Sequence, residues 1–526
     1  MRAVLLGVLL LTIYGCYLEK AFGAGPNEPA GADTARALAA SIDGHLAARW
    51  EAAGVQPARP ADDAEFLRRI CLDVTGRIPS VSEVRDFLDD PSPDKRDRAI
   101  ERLLTGSGFS RHFARVWRDA MLPEVSANPE LAGFGPSFEA WLRTRLEEGV
   151  SYDRIAAELL TLQLPAAEGQ RLGFSAAPQM PVGVSPSAFY DAKQQLPENV
   201  ATGAARVFLG VSLECAQCHD HPFADWRRDQ FWGLAAFFAE LQTPGGRPEL
   251  TIPETATIVP AAYLNGSAFD AGAGEAPRAA LARWITSPEN PYFARATVNR
   301  LWAHFHGIGL VQPVDDLGAD NPASHPELLD ELARRFVASG FDLRFLVRAL
   351  VSSQAYQCGS RQTDPGQADP TLFARMNLRA LTAEQLYDAL LQATAARGGG
   401  QDAAFRRSEA QRVEFLNAFQ APPGDATQGH TSIVQALTLM NGSLVADATS
   451  LERSRTLAAV ADAPFMTTAE RIEALYLASV SRPPQSAELE RLVKFVEEGD
   501  AQGRGRAALA DVFWSLLNSA EFRINH

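Results

Sequence analysis

Residues 80–90 read SVSEVRDFLDD, and this stretch decides the fold class. Ser80 stands three residues before Glu83, which is the spacing of a capping box at a helix N-terminus. Val84 and Leu88 follow at the four-residue interval that places apolar side chains on one face of a helix. The stretch therefore predicts a short amphipathic helix that packs on a core.

The same helical spacing recurs along much of the chain. It is found at residues 94–106, 325–340, 342–353, 382–394, 467–480 and 508–522. The alternation that predicts strands is scarce, and its clearest example, residues 249–260, is interrupted by prolines. The sequence therefore predicts a mainly α fold, with two helical domains joined by a Pro/Gly-rich connector and little β structure.

Glycine- and proline-rich runs set the predicted boundaries. These are a signal peptide at 1–24, a linker at 25–35, an N-terminal helical domain at 36–242, a connector at 243–276 and a C-terminal helical domain at 277–526. The connector is short and follows directly on an aromatic stretch. We therefore expect the two domains to share an apolar interface.

The N-terminus predicts export. Arg2 precedes an apolar run that ends at Tyr14, and small residues up to Ala24 fit a signal peptidase site. The alternative is a lipoprotein signal that is cut before Cys16. We expect an exported protein, periplasmic or at the outer surface, whose membrane contact is limited to a lipid at Cys16.

Composition narrows the function classes. The chain is 46% hydrophobic, as globular proteins are, and its net charge of −15 argues against a nucleic-acid partner. Export leaves Cys71, Cys215, Cys218 and Cys358, too few for a disulfide scaffold. Cys71 and Cys358 lie in different predicted domains, and we expect both to be buried free thiols.

Residues 214–223, ECAQCHDHPF, carry the densest chemistry in the chain. Attachment of haem c needs two cysteines three residues apart, here Cys215 and Cys218, and an adjacent imidazole, here His219, beneath the iron. The aromatic stretch at 229–241 is suited to line an apolar slot for such a cofactor. The sequence thus predicts one covalent haem c with His219 as the proximal ligand.

Residues 198–219 predict a helix that leads into this motif. Three other hypotheses remain open for it: a plain disulfide between Cys215 and Cys218, a zinc site that adds His219 and His221, and a thioredoxin-like pair. Four ligands within seven residues crowd a zinc tetrahedron, and a thioredoxin-like pair needs a βαβ context that is missing here.

The sixth iron ligand is not defined by the sequence. The candidates are Met440, His304 and His325, and with less favourable placement His221 and His306. Two residues apart on a helix, His304 and His306 diverge by about 200° and cannot both face one iron. His221 is too near the attachment site to reach the opposite face. Each of these residues also suits an ordinary structural role, as His325 does at a predicted helix start.

Other motifs of catalysis are missing from the sequence. It contains no nucleophile elbow, no phosphate-binding glycine loop and no zinc-protease motif. Asp315 and Asp316 stand in a turn-like context, and we expect both to be solvated. Arg, Trp and His residues at 111–119 and 298–306 are placed to line an interdomain cleft.

Four long segments resemble parts of a known pair of domains. Residues 68–122 and 205–238 resemble the planctomycete-type cytochrome-c-like domain, and residues 290–356 and 508–526 resemble the planctomycete-specific domain that usually follows it. The resemblance implies an exported two-domain protein, often encoded beside a sulfatase-like or phosphatase-like companion. It places the family's motif on Cys215, Cys218 and His219. It implies no catalytic activity.

The resemblance also marks residues of the second domain. These are Asn299, Arg300, Trp302, His304 and His325. His306 departs from the family, which more often has an aromatic residue there.

Three hypotheses follow from these observations. The first is a c-type-cytochrome-like protein for electron transfer or redox delivery to a partner. The second is a non-redox binding or scaffold protein for a companion sulfatase-like or phosphatase-like enzyme or a polysaccharide, with the CxxC as a structural disulfide. The third is an enzyme that acts in the interdomain cleft.

Overall fold

A computed structural model of the protein describes residues 32–164, 184–222, 224–270, 274–395, 403–419 and 433–526. The predicted signal peptide at 1–24 and Cys16 lie outside these residues. The predicted linker at 25–35 is described only from Ala32, where the first helix begins. Its last residues are therefore helical.

Helices dominate the N-terminal half of the chain. They are α1 (Ala32–Ala53), α2 (Asp63–Thr75), α3 (Val81–Leu88), α4 (Lys95–Thr105), α5 (Ser107–Met121), α6 (Pro123–Ala127), α7 (Gly135–Glu147), α8 (Tyr152–Leu160), α9 (Ala188–Asp191), α10 (Pro197–Ala204) and α11 (Arg228–Ala235). Short turns of other helical types span Pro129–Phe134, Ala205–Leu209, Cys215–Gln217 and Ala236–Leu241. Helix α3 begins with the predicted capping box, in which Glu83 N donates to Ser80 Oγ and Ser80 N donates to the Glu83 carboxylate.

Helices also dominate the second half. They are α12 (Pro277–Ile285), α13 (Phe293–His306), α14 (Pro326–Ala338), α15 (Leu343–Ser352), α16 (Gln354–Gln357), α17 (Ala383–Thr394), α18 (Ala403–Phe419), α19 (Ile433–Asn441), α20 (Ser443–Ala448), α21 (Arg455–Asp462), α22 (Thr468–Ser479), α23 (Ser486–Ala501), α24 (Gly505–Leu517) and α25 (Ala520–Arg523). Short 3₁₀ turns span Pro365–Ala368 and Pro370–Leu372. The mainly α prediction is confirmed.

Strands are few and short in the described residues. An antiparallel hairpin pairs β1 (Glu249–Thr251) with β2 (Ile258–Pro260) inside the stretch where the sequence predicts strands. A second antiparallel pair joins β3 (Arg379–Ala380) to β4 (Ile524–Asn525). This second pair joins residues 524–525 to the segment just before α17.

The larger hydrophobic core is continuous across the predicted connector. Its buried side chains run from Ala35 to Met376, with Leu477 added from α22, and include residues from both predicted domains. Phe237, from the aromatic stretch, packs on Tyr263 and Phe269, with ring centroids 4.9 and 5.4 Å away. The turn that carries Phe237 also lies against α12. The predicted apolar interface between the halves is therefore confirmed.

A second, smaller core is formed near the C-terminal end. It contains buried side chains between Leu381 and Phe522, together with Leu72 and Ile78 from the N-terminal half. Apart from Leu72, Ile78 and Leu477, the two cores divide the chain near residue 380. The domain boundaries at 242 and 277 stay predictions. Among the described residues, none of the helices combines the length and apolarity of a membrane span.

Candidate functional site

The segment that leads into the CxxCH motif is not one continuous helix. Helix α10 continues as the wider turn Ala205–Leu209 and ends at Gly210, whose φ of 64° is left-handed. Leu317 and Ala296 pack so closely on Gly210 that an added Cβ would lie 2.7 Å from Leu317 Cδ1. The prediction of a helix through residue 219 is therefore wrong beyond Leu209.

Residues 215–219 form a tight turn, which we call the CxxCH knuckle. The amides of Cys218 and His219 both donate to the Cys215 carbonyl at 3.4 Å. Side chains three residues apart eclipse each other in a 3₁₀ turn, so the two sulfurs project from the same side. Cys215, Cys218 and His219 are exposed, whereas Ala216 between them is buried. The chemical groups of the knuckle therefore face solvent.

The imidazole of His219 is held in one tautomer. Its Nδ1 lies 2.8 Å from the backbone carbonyl oxygen of Asp220. Because a carbonyl oxygen only accepts, Nδ1 carries the proton and the Nε2 lone pair is left for a ligand. A backbone carbonyl on Nδ1 is also the usual outer partner of a metal-bound imidazole.

The residues after His219 fix the position of the knuckle. The Asp220 carboxylate accepts from the backbone N of Arg228, the first residue of α11, at 2.8 Å. His221 Nδ1 accepts from Ala224 N at 2.9 Å, and His221 N donates to Trp226 O at 2.7 Å. His221 is thus committed to the loop, in agreement with its exclusion as a sixth ligand.

Behind the knuckle, the aromatic stretch is packed rather than open. Phe231, Trp232, Phe237 and Phe238 are at most 3% exposed. Trp232 Nε1 donates to the carbonyl of Gln217 at 3.1 Å, which ties the inner side of the knuckle to α11. The sulfurs therefore point to solvent and not into a slot lined by these aromatic side chains.

The zinc hypothesis finds no ligand set at the knuckle. Within the described part of the chain, no three His, Cys, Asp or Glu side chains are grouped so that they could hold a metal ion. Cys215 and Cys218 are both free thiols. A metal ion at the knuckle would therefore need further ligands from a bound cofactor, such as the ring nitrogens of a haem.

Of the candidate sixth ligands on α13, His304 is half-buried and His306 is buried. His304 Nε2 bonds the carbonyl oxygen of Asp73 at 2.9 Å. His306 stacks on Trp302 with ring centroids 4.1 Å apart, and burial lowers the pKa of His306 to about 3. Ala296, on the same helix, contacts Gly210. Along the helix axis, His304 and His306 lie about 12 and 15 Å beyond Ala296.

The other two candidates are on or beside helices that do not carry the knuckle. His325 precedes α14, where its Nδ1 lies 3.1 Å from Ser324 Oγ. It is buried beside Phe373, and burial lowers its pKa to about 4. Met440 is on α19, which packs with the second core, and its side chain is 48% exposed. His325 therefore stands at the predicted helix start, in a packing role.

Sequence reasoning missed the role of Asp315. Its carboxylate pairs with Arg300 and, at 3.9 Å, with Arg206 of the wider turn before Gly210. The side chain is only 19% exposed, so the expectation that Asp315 is solvated is wrong. Asp316 instead bonds Asn321 within the same turn. The partners of Asp315 are distant in sequence, and no spacing signal could have found them.

A second polar cluster surrounds Asp73 in α2, at 1% exposure. Tyr356 Oη and Arg379 Nη2 each donate to Asp73 Oδ2 at 2.8 Å. Asn525 Nδ2 donates to Asp73 Oδ1 at 2.7 Å. Because these donors come from three distant segments, the cluster reads as a structural tie between the two cores.

The remaining cysteines behave as predicted. Cys71 and Cys358 are buried free thiols, with exposures of 0% and 5%. Burial raises the pKa of Cys71 to about 12 and that of Cys358 to about 11. Neither thiol is suited to redox chemistry, because the reactive form is the thiolate.

Two family models match the chain. Residues 41–243 match the PSCyt2 model, described as a protein of unknown function (DUF1549), and residues 277–496 match the PSD1 model, described as a protein of unknown function (DUF1553). Their order agrees with the resemblance found in the sequence. The search of curated proteins gave no match, and neither did the search of solved structures.

Proposed function

The chain belongs to the family that joins a PSCyt2 (DUF1549) domain to a PSD1 (DUF1553) domain, and from this premise we propose that it is an exported redox protein. In the proposal, one haem c is attached through Cys215 and Cys218, with His219 as the proximal ligand. The function is electron transfer, or redox delivery to a partner protein.

The tautomer of His219 is the observation that carries this proposal. Its Nδ1 donates to the Asp220 carbonyl, so Nε2 faces outward beside two exposed thiols on the same side of a turn. These are the donors that covalent haem attachment needs. When bound, the haem supplies a one-electron redox change. The chain's own residues hold it, fix the imidazole ring and present the site to a partner.

The exposure of the knuckle defines how a partner would approach. The aromatic side chains of α11 are committed to the core, whereas Cys215 and Cys218, which would hold the haem, are exposed. A redox partner therefore needs no opening of the fold. For location we propose the periplasm or outer surface, after removal of residues 1–24 or with a lipid on Cys16.

A second candidate function rests on the packing behind the knuckle. Trp232 and its neighbours leave the inner side of the turn filled, as a structural turn requires. In a 3₁₀ turn the Cα atoms of Cys215 and Cys218 are about 6 Å apart, within the range of a disulfide. We propose as the alternative a scaffold protein for a companion sulfatase-like or phosphatase-like enzyme or a polysaccharide, with this disulfide as a stiff surface turn.

One experiment separates the two functions. The protein is produced in a host with cytochrome c maturation machinery, and its absorption spectrum and the mass of the peptide that contains Cys215 and Cys218 are measured. A Soret band with a haem mass on that peptide supports the first function. Both signals are expected to vanish in Cys215→Ala/Cys218→Ala and to persist in Cys358→Ala, the control at a buried thiol.

The opposite result is equally clear. A colourless wild-type protein whose knuckle peptide is lighter by two hydrogens has a disulfide and no haem. That result refutes the redox proposal and favours the scaffold. The binding of a companion protein or polysaccharide is then measured before and after reduction of the disulfide. Unchanged binding would contradict a role for the stiff turn.

A further inference from the structure

The CxxCH knuckle is held by the second family domain as well as by its own. We infer that residues 312–317, which we call the clamp turn, position the knuckle and that Asp315 is the positioning residue. The importance of that position rests on the proposed function of the knuckle. The contacts themselves do not depend on whether a haem or a disulfide is formed there.

The first contacts of the clamp turn are with the backbone that leads into the knuckle. Leu317 N donates to the carbonyl oxygen of Gly210 at 2.9 Å. Ser212 Oγ donates to the carbonyl oxygen of Asp315 at 3.3 Å. Cys215 follows Ser212 by three residues. The clamp turn thus grips the chain immediately before the first attachment cysteine.

The charges of Asp315 reinforce this grip. Its carboxylate bridges Arg300 on α13 and Arg206 on the turn before Gly210, and Arg300 Nη2 also donates to the Arg206 carbonyl at 3.3 Å. The three side chains are between 14% and 20% exposed. Without the carboxylate, two guanidinium groups would face each other in a poorly hydrated place.

The segment between the clamp turn and the knuckle has little structure of its own. Residues 210–213 belong to no helix or strand, and the knuckle that follows is a single 3₁₀ turn. Its outer end is anchored through Asp220 and Trp232. At the inner end, Val211 and Leu213 are buried in the larger core, and Gly210 and Ser212 make the polar contacts with the clamp turn. Loss of that anchor should therefore loosen the knuckle before it affects either core.

The test compares two neighbouring substitutions in the full-length protein. Asp315→Asn removes the charge between the two arginines, whereas Asp316→Asn makes the same change at a residue whose carboxylate bonds Asn321. Amide hydrogen exchange is followed by mass spectrometry. We expect exchange at residues 211–219 to be about tenfold faster in Asp315→Asn, with other peptides unchanged, because a charged hydrogen-bond partner is lost locally. Asp316→Asn should match the wild type, and Asp315→Glu should restore slow exchange.

The outcomes are distinct from those of the haem experiment. Equal exchange in Asp315→Asn and Asp316→Asn, or faster exchange spread over both cores, would overturn the inference. If Asp315→Asn fails to fold, Ser212→Ala takes its place, since it removes a clamp contact without unpairing a charge. Faster exchange confined to 211–219 then supports the inference, and unchanged exchange overturns it. A wild-type protein without a Soret band refutes the redox proposal and leaves these results valid.

Discussion

Gly210→Ala should be more damaging than an equivalent substitution at another left-handed glycine. Gly210 has a φ of 64°, and Gly54, just after α1, has a φ of 65°. Left-handed backbone costs a non-glycine residue about 1–2 kcal/mol. That cost is common to both positions. Gly54 has no atom within 4 Å of an added Cβ, so Gly54→Ala measures this cost alone.

At Gly210 the new methyl group also meets neighbours. It would lie 2.7 Å from Leu317 Cδ1, closer than real Cβ atoms approach, and 3.0 Å from Ala296 Cβ, which is a tight contact. Overpacking of this kind costs about 1–3 kcal/mol. We therefore expect Gly210→Ala to lower the free energy of unfolding by about 2–5 kcal/mol, against about 1–2 kcal/mol for Gly54→Ala.

Urea unfolding followed by tryptophan fluorescence measures both losses, since both glycines adjoin the larger core. The double variant Gly210→Ala/Leu317→Ala assigns the excess. If the methyl group collides with Leu317, the two changes together cost less than the sum of the single changes. Equal losses in Gly210→Ala and Gly54→Ala, or strict additivity with Leu317→Ala, would refute the packing argument.

Two further predictions concern buried polar groups. Asp73→Asn should lower the free energy of unfolding by about 3–5 kcal/mol, because Arg379 loses its carboxylate partner in a buried site. The control Asp447→Asn, at an exposed ion pair, should leave the urea midpoint unchanged. Similar midpoints in the two variants would contradict this. Burial lowers the pKa of His306 from 6.5 to about 3. The contribution of His306 to the free energy of unfolding is therefore complete above pH 6.5. It is lost at about 1.4 kcal/mol per pH unit as the pH falls below that value. His306→Phe should therefore show a shallower acid loss of stability between pH 6 and 4, and identical slopes for variant and wild type would count against it.

Local patterns in the sequence predict the helices well. The capping box at Ser80 and Glu83 and the spacing in α14, α15 and α22 are fixed by contacts within a few residues, so the sequence contains what is needed. The end of the helix at Gly210 is different. It depends on Leu317, more than a hundred residues away, and a single glycine in a helical pattern does not reveal such a partner.

The candidate site shows the same limit. The motif predicts that Cys215 and Cys218 lie on one helical turn, and the structure has a 3₁₀ turn at Cys215–Gln217. Asp315 looked like a solvated acid because its arginine partners lie on two other elements. Whether the sulfurs face a slot or solvent is also decided by tertiary packing, in this case by where the aromatic residues of α11 find their neighbours.

The aromatic side chains of residues 231–238 can either pack in the core or line a slot beside the knuckle. Burial of a Phe side chain is worth about 1.5–3 kcal/mol. Phe231, Phe237 and Phe238 are completely buried, and Phe237 has partners in Tyr263 and Phe269 of the connector. Opening a slot between these rings and the knuckle would forfeit several such contributions and the bond from Trp232 to Gln217. The aromatic stretch and the thiols therefore lie on opposite sides of one turn: the rings stabilise the fold, and the thiols lie at the surface.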